Sequence, residues 1–410
     1  MKFSLLPLCL LLTACMNQGL SQNLTPIVSQ PSFPQDTWQE TSINANNGNF
    51  SAWKQSFYHK ALQRGFAPAL IEQLLQNAHY QEKTVKSDRG QPERTQLIAQ
   101  YLDKSLSDKR ILEGQQKLRE HAAFFQKLEQ QYGVPKEIVI AIWGLESSYG
   151  SFTGKESLSS SLATLAFDGR RQAFAENQLF AMLTMMQYGD LTPDAQGSWA
   201  GGMGHTQFIP TTWLEQAQDG DGDGHKNPWN IYDATASTAS YLKQSGWQRG
   251  QSFGEVVTLT PQFRDIWLDK TLPREQIQGI NTPLKASKVR IWLPSGQTGS
   301  ALALYPNFSV IKKYNNSDHY ALAVSLLAER IAGRDISHIH FAREQQGLDF
   351  EQRKALQQAL QDLGYSIGAV DGVIGSKTRD AFRMWQQKQG LFADGFISVQ
   401  SALPLIQPQR

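Results

Sequence analysis

The stretch from Pro135 to Gly150 constrains this chain most, because its apolar spacing and its ends fit an apolar helix. Pro135 suits the first turn through its fixed φ. Ile138, Ile142, Trp143 and Leu145 continue the run, and Gly150 is the expected stop. Glu146 then falls near the C-terminal end, with Ile142, Trp143, Tyr149 and Gly150 as its expected neighbours on the helix face and no basic residue among them. A carboxyl placed there loses hydration without gaining a cation, and the negative end of the helix dipole acts in the same direction. Both effects favour a group that keeps its proton until a leaving oxygen needs it, so Glu146 is a candidate catalytic acid. The plain alternative is a surface glutamate at a helix end.

A second block, Ser198-Trp199-Ala200-Gly201-Gly202-Met203-Gly204-His205-Thr206-Gln207-Phe208-Ile209-Pro210, sets small residues beside hydrogen-bonding side chains, which lets a polymer approach the backbone. Together with Glu146-Ser147-Ser148-Tyr149-Gly150 and Tyr314-Asn315-Asn316-Ser317, in that order along the chain, it resembles the membrane-bound lytic murein transglycosylase B family. The resemblance covers about residues 50 to 335. It implies a mainly α fold with a small β insertion and a lysozyme-like catalytic core, spanning 49–335.

Composition bounds the partners. Lys plus Arg number 39 against 37 Asp plus Glu, and the net charge of +2 leaves no electrostatic footprint for nucleic acid. Lys2 precedes an apolar run from Phe3 to Leu12 that is too short to span a bilayer and of the right length for an export signal. Leu12-Thr13-Ala14-Cys15 is similar to a bacterial lipoprotein processing site, so residues 1–15 are expected to be a signal ending at a lipidated Cys15. Cys9 lies in the discarded part, which leaves the mature chain without a disulfide. By resemblance to lipoprotein sorting rules, Met16 after the lipidated cysteine points to the periplasmic face of the outer membrane.

Residues 16 to 35 lack Asp, Glu, Lys and Arg and cannot bury enough to fold alone, so 16–48 is read as a tether. Helical signals dominate from Phe50. Pro68 opens one segment, an amphipathic run passes through Leu118, Phe124, Phe125 and Leu128, and further helices fit Gln172 to Gln187 and His319 to Ala332. Strand character is confined to about Val256 to Lys313, in Val289 to Leu293 and in a stretch from Ala301 to Lys313 broken at Pro306-Asn307. Residues 350–405 carry Leu356, Leu360 and Leu363 at helical spacing, then a helix with Ala381, Phe382 and Trp385. Their Asp371-Gly372 turn is echoed by Asp394-Gly395 as a weak repeat. They resemble the small three-helix peptidoglycan-binding domain.

Asp219-Gly220-Asp221-Gly222-Asp223-Gly224-His225 places oxygens at alternating positions with glycine sixth, as a calcium-binding EF-hand loop requires. His225 would contribute its backbone carbonyl, Asn227 falls ninth, and Asn230 stands twelfth, where a bidentate glutamate is wanted. Asp233 is the nearest acid able to close the shell of this 219–233 loop, at a position matching the family's ligand. A solvated acidic loop is the alternative; zinc on His225 lacks a second His or Cys.

Most glycosidases flank the bond with two carboxyls, and Asp168, Asp190 and Asp194 are the candidates for a second one here. The resemblance implies another solution. Glu146 alone would protonate the oxygen between N-acetylmuramic acid and N-acetylglucosamine, the muramoyl N-acetyl group would steady the cation, and the muramoyl C6 hydroxyl would close a 1,6-anhydro ring. It also implies substrate contacts from Ser198, Gln207 and Asn315, and groove-lining rings from Tyr241, Tyr314 and Tyr320. Arg170-Arg171 could meet peptide-stem carboxylates or form a solvated pair. The expected partners are glycan strands, outer-membrane lipid through Cys15 and other cell-wall enzymes. A lysozyme-like hydrolase and a non-catalytic wall-binding lipoprotein are the competing functions.

Overall fold

Residues 47–89 and 96–407 are described by the computed structural model. The export signal, Cys15 and the tether up to residue 46 lie outside the described residues. Helices α1 (Asn47–Gln63), α2 (Pro68–Gln76), α3 (Glu82–Arg89), α4 (Ile98–Ser105), α5 (Asp108–Glu120), α6 (Ala122–Tyr132) and α7 (Lys136–Ser147) come first. The short strand β1 (Glu156–Ser157) leads into α8 (Leu158–Asp168) and α9 (Gln172–Tyr188), and β2 (Gln196–Gly197) pairs back on β1 before α10 (Pro210–Gln216) and α11 (Ile231–Gln244). Local chemistry sets these ends. Pro68 and Pro210 open their helices, while Ser107, Ser157 and Asn230 accept backbone N–H groups that the first turns leave unpaired. The run through Leu118 and Leu128 is two helices rather than one, broken at His121.

Strands β3 (Gly254–Val257), β4 (Thr271–Pro273), β5 (Lys288–Trp292), β6 (Pro294–Gln297) and β7 (Ala301–Leu304) follow. Four of them form an antiparallel sheet in the order β3-β7-β5-β4, with Val256 opposite Leu302 and Arg290 opposite both Leu304 and Thr271. The stretch from Ala301 to Lys313 is not a broken strand. Pro306 opens α12 (Pro306–Tyr314), because a proline whose missing N–H costs nothing at a first turn starts a helix as readily as it stops a strand. Ser317 then caps α13 (Asp318–Ile331).

Two helices sit at the centre. Every residue of α7 from Ile138 to Gly144 and of α13 from Tyr320 to Ala328 is buried, as expected of helices apolar all round. Their shared core takes in Leu102 of α4, Ile111 of α5, Phe125 of α6, Leu242 of α11 and Leu302 of β7. The placement of Glu146 is thus inherited from a buried helix of this core.

Helices α14 (Phe350–Asp362), α15 (Ser376–Lys388) and α16 (Val399–Ile406) form the C-terminal three-helix domain on its own core of Leu356, Leu360, Phe382 and Trp385. Its repeat has a structural basis. Gln357 donates to Asp371 Oδ1 at 3.1 Å and accepts from the Gly372 N–H at 2.6 Å. Gln386 does the same for Asp394 and Gly395 at 3.0 and 2.9 Å. The domain is docked on the sheet: Arg383 pairs with Asp269, the Ala393 N–H donates to Asp265 at 3.0 Å, and Phe392 packs against the sheet's apolar cluster.

Candidate active site and acidic loop

Helix α7 ends abruptly. After Ser147 come three successive residues in the left-handed region, Ser148 at φ 47°, Tyr149 at φ 56° and Gly150 at φ 88°. Only the glycine adopts this conformation without cost, and the two others need outside support. Tyr149 gets it by donating its hydroxyl hydrogen to the Arg110 carbonyl at 2.8 Å, with its ring in the space left by Gly114 and Gly144. A Cβ on Gly144 would lie 2.6 Å from that ring. Ser147 Oγ donates to the His205 carbonyl at 2.5 Å and accepts from the Gly150 N–H at 2.9 Å. Trp143 Nε1 donates to His205 Nδ1 at 3.0 Å, which assigns the imidazole proton to Nε2. Burial lowers the His205 pKa and keeps the ring neutral, so it can accept there.

This geometry revises the surroundings of Glu146. Tyr149 and Gly150 have left the helix and are not its face neighbours. Instead the half-buried carboxylate accepts a hydrogen bond of 2.5 Å from Tyr320, which α13 delivers from across the core. Burial, reinforced by the adjacent Glu146 charge, pushes the Tyr320 hydroxyl well above its ordinary range, so it stays a donor. Tyr314 is raised in the same way by desolvation and then by Glu146, and it donates to the Thr206 carbonyl at 2.6 Å.

The other expected substrate residues lie as follows. The rings of Tyr241 and Tyr314 lie 5.5 Å apart, each packed on Phe208, and Tyr241 donates to the Lys313 carbonyl at 2.7 Å. Ser198 and Gln207 converge over Gly202, where a Cβ would stand 2.9 Å from Ser198 Oγ and 2.7 Å from Gln207 Oε1. Gln207 itself has φ 55° and is held by donation to the Gly204 and Thr153 carbonyls at 2.8 and 3.1 Å. Asn315 lies exposed just past α12, its carbonyl accepting from the Ser317 N–H at 2.7 Å.

Arg170 and Arg171 keep part of their surface in solvent but are not free of partners. Both close on the buried carboxylate of Asp88, Arg170 also donating to its carbonyl at 3.0 Å. The His205 brace is absent from the sequence reading; a histidine inside a glycine-rich block, with a tryptophan on the preceding apolar helix, is the one signal that points to it.

In the acidic loop, Asp219, Asp221 and Asp233 each offer an oxygen within 4.8 Å of the others. Outside that group of carboxylates, Asp223 accepts the His225 N–H at 2.8 Å, and the atom expected of His225 is its backbone carbonyl rather than its ring. Asp233 is fully buried, accepts from the Gly220 and Asn227 N–H groups at 2.7 and 2.8 Å, and is raised in pKa by burial above all and further by Asp221 and Asp219. The loop adjoins the site, since the His205 N–H donates to Pro228 at 2.9 Å and a Cβ on Gly204 would collide with the same carbonyl.

The transglycosylase SLT domain family matches residues 49–329. The chain belongs to that family. A peptidoglycan-binding domain family, described as putative, matches residues 351–399. Among curated proteins the chain is similar to membrane-bound lytic murein transglycosylase B of Escherichia coli K12, at 29% identity over 80% of this chain and 97% of that one. Among solved structures it is similar to SltB3 of Pseudomonas aeruginosa in complex with NAG-anhNAM-pentapeptide, with 40% identity, a TM-score of 0.81, and coverage of 87% of this chain and 99% of that one. It also resembles Escherichia coli Slt35 in complex with calcium, at 28% identity and a TM-score of 0.62 over 68% of this chain and 92% of that one. This chain is accordingly a lytic transglycosylase acting on peptidoglycan, a lyase. Its fold is the expected one, mainly helical with a small sheet and a helical C-terminal domain.

Proposed function

We propose that this transglycosylase cleaves the β-1,4 bond between N-acetylmuramic acid and N-acetylglucosamine with Glu146 as its single general acid and base. The observation that carries the reading is the carboxylate of Glu146 at the end of a buried helix, held by the Tyr320 hydroxyl at 2.5 Å. The candidates for a second acid support it by being engaged elsewhere or open to solvent. Asp168 pairs with Arg89 at 2.7 Å, Asp190 faces His225 and the Lys226 N–H, and Asp194 is exposed. A single acid suits a reaction that consumes no water: Glu146 gives its proton to the leaving oxygen, then takes one from the muramoyl C6 hydroxyl as that oxygen attacks C1. Such participation is typically worth about 10² to 10⁴ in rate. Ser198 and Gln207 would hold the strand, Asn315 would stand beside the reacting sugars, and Tyr241 and Tyr314 would line the groove. Tyr320 would serve through its bond to the acid.

The test is product analysis. Sacculi digested by the parent protein should release anhydromuramoyl ends by mass spectrometry, and Glu146→Gln should release none while still binding the wall. Reducing ends carrying an added water would favour the lysozyme-like hydrolase, and equal digestion by parent and variant would remove Glu146 from the chemistry.

The acidic loop fits a calcium ion on Asp219, Asp221 and Asp233, three carboxylates whose mutual repulsion a divalent cation relieves. The ion would neutralise that charge and brace the loop; it takes no part in bond cleavage. The C-terminal domain would add a second grip on the wall. Lipidation of Cys15 would hold the enzyme at the outer membrane, a reading supported by the N-terminal sequence and by the membrane-bound relative. Among the described residues no helix is long and apolar enough to cross a membrane.

A further inference from the structure

Phe152 is the most exposed of the large hydrophobic side chains among the described residues, with 71% of its surface open. Its backbone is nevertheless among the most firmly held. The Phe152 N–H donates to the Ser147 carbonyl at 2.9 Å, which fixes it to the end of the helix that carries Glu146. One residue on, the Thr153 carbonyl accepts from Gln207 at 3.1 Å. Gly154, at φ 94°, is pressed so close to the glycine-rich block that a Cβ would lie 2.0 Å from the Gly197 carbonyl carbon. A loose turn could fold an apolar ring away from water; this one is strapped at three successive residues and cannot. The ring therefore stands in solvent on a backbone tied to Ser147, the residue after the acid, and one residue before the carbonyl that Gln207 holds, where hydrophobic burial has been forgone.

We propose that Phe152 is an aromatic platform for one sugar ring of the glycan strand, at the edge of the cleft next to Glu146. The proposal rests on the glycan-cleft reading above and adds an affinity determinant to it. A flat apolar ring complements the C–H face of a pyranose and excludes water from it, while the polar edge of the sugar stays free for Ser198 and Gln207. Phe152 touches no reacting atom in this scheme, so its contribution is to binding, the same in ground and transition states, and it appears in KM rather than kcat.

The decisive measurement uses the Glu146→Gln protein, in which binding is read without turnover. Calorimetric titration with soluble, uncross-linked glycan strands should give a Kd about tenfold weaker when Phe152→Ala is added. Phe152→Tyr should stay within about twofold of the parent, since it keeps the ring. Leu112→Ala, which removes another exposed apolar group, on α5, should change nothing. In the active protein Phe152→Ala should raise KM with kcat and melting temperature held. An unchanged Kd for Phe152→Ala, or a Tyr variant as weak as the Ala variant, would overturn the platform. So would a loss seen only on phospholipid vesicles, which would make the ring a membrane contact. Failure of the Glu146→Gln protein itself to bind glycan would sink the cleft reading instead, a result distinguishable from all three.

Discussion

Tyr320 reaches Glu146 from a different helix, 174 residues further along the chain, and donates to Oε1 at 2.5 Å. The two helices that meet in this bond, α7 and α13, pack on each other in one shared core. Core packing and acid placement are therefore one arrangement. Tyr320→Phe keeps the packing and removes only the donor. A hydrogen bond to a charged group is worth about 1.5–3 kcal/mol, so kcat should fall by roughly 10- to 100-fold with KM nearly unchanged. Steady-state kinetics on soluble glycan check this, and a kcat within twofold of the parent would reduce Tyr320 to a packing residue.

The turn after the acid is predicted to fail at its glycine. Gly150 combines φ 88° with a Cβ position 2.4 Å from His205 Cε1. Gly150→Ala must strain the backbone and displace the imidazole that Trp143 holds. We expect a loss of about 1–3 kcal/mol in stability and a disproportionate fall in kcat, read by denaturant titration alongside activity. Gly169→Ala also adds a Cβ at positive φ, 83°, but meets nothing within 4 Å, and should cost stability without the added catalytic loss.

Two histidines contribute to the acid limb of stability, alongside ion-paired carboxylates such as Asp318. His319 is lowered to about 4 by burial and then by Arg379, and His205 is lowered by burial. A histidine whose folded pKa is depressed binds its proton more readily when unfolded, so its stability contribution is present above the unfolded pKa and is lost as pH falls through the window down to the folded value. For His319 that window runs from 6.5 to about 4. Melting temperature should therefore decline across it, and His319→Gln should flatten the slope. A slope identical in parent and variant would remove His319 from the account.

What the sequence made legible follows from which interactions are local. The apolar run of α7, the glycine-rich block and the Asp-Gly turns declare themselves because their patterns lie within a few residues. Ser198 and Gln207, which the family resemblance implies as substrate contacts, converge over Gly202 inside a single loop. The Tyr320 bond, the His205 brace and the Asp88 clamp on Arg170 join elements 174, 62 and 82 residues apart, and no spacing rule reaches that far. Pro306 was misread for a different reason, since proline punctuates strands and helix starts alike until the following burial pattern is known.

Docking of the C-terminal domain alters what truncation should do. A cut near Gly347 removes Arg383 and Phe392, leaving Asp269 without its guanidinium partner and uncovering part of the sheet's apolar cluster. The catalytic domain has its own core and should stay folded, with a lower melting temperature and weaker sacculus pull-down because the second attachment is gone. Arg383→Ala in the full chain should reproduce part of the thermal loss and little of the pull-down loss. A truncated protein that melts like the parent would show that the docking contacts add no stability.

Calcium should act on folding, and the geometry separates its ligands. Asp233 is buried and receives two backbone N–H groups, so its removal would damage the loop with or without an ion. Asp219 and Asp221 are exposed and sit in the three-carboxylate group, whereas Asp223 turns back on the His225 N–H. Binding to the folded state alone adds RT ln(1 + [L]/Kd), about 2.7 kcal/mol at a hundredfold excess over Kd. The parent's melting temperature should thus rise in calcium and fall in chelator, with magnesium a poor substitute because it prefers a smaller, hydrated octahedral site. Asp219→Ala with Asp221→Ala should abolish the response, and Asp223→Ala should retain more of it. Equal melting of the parent in excess chelator and in millimolar calcium would leave the loop a solvated acidic turn, and a response that vanished with Asp223→Ala alone would relocate the ion toward the middle of the loop.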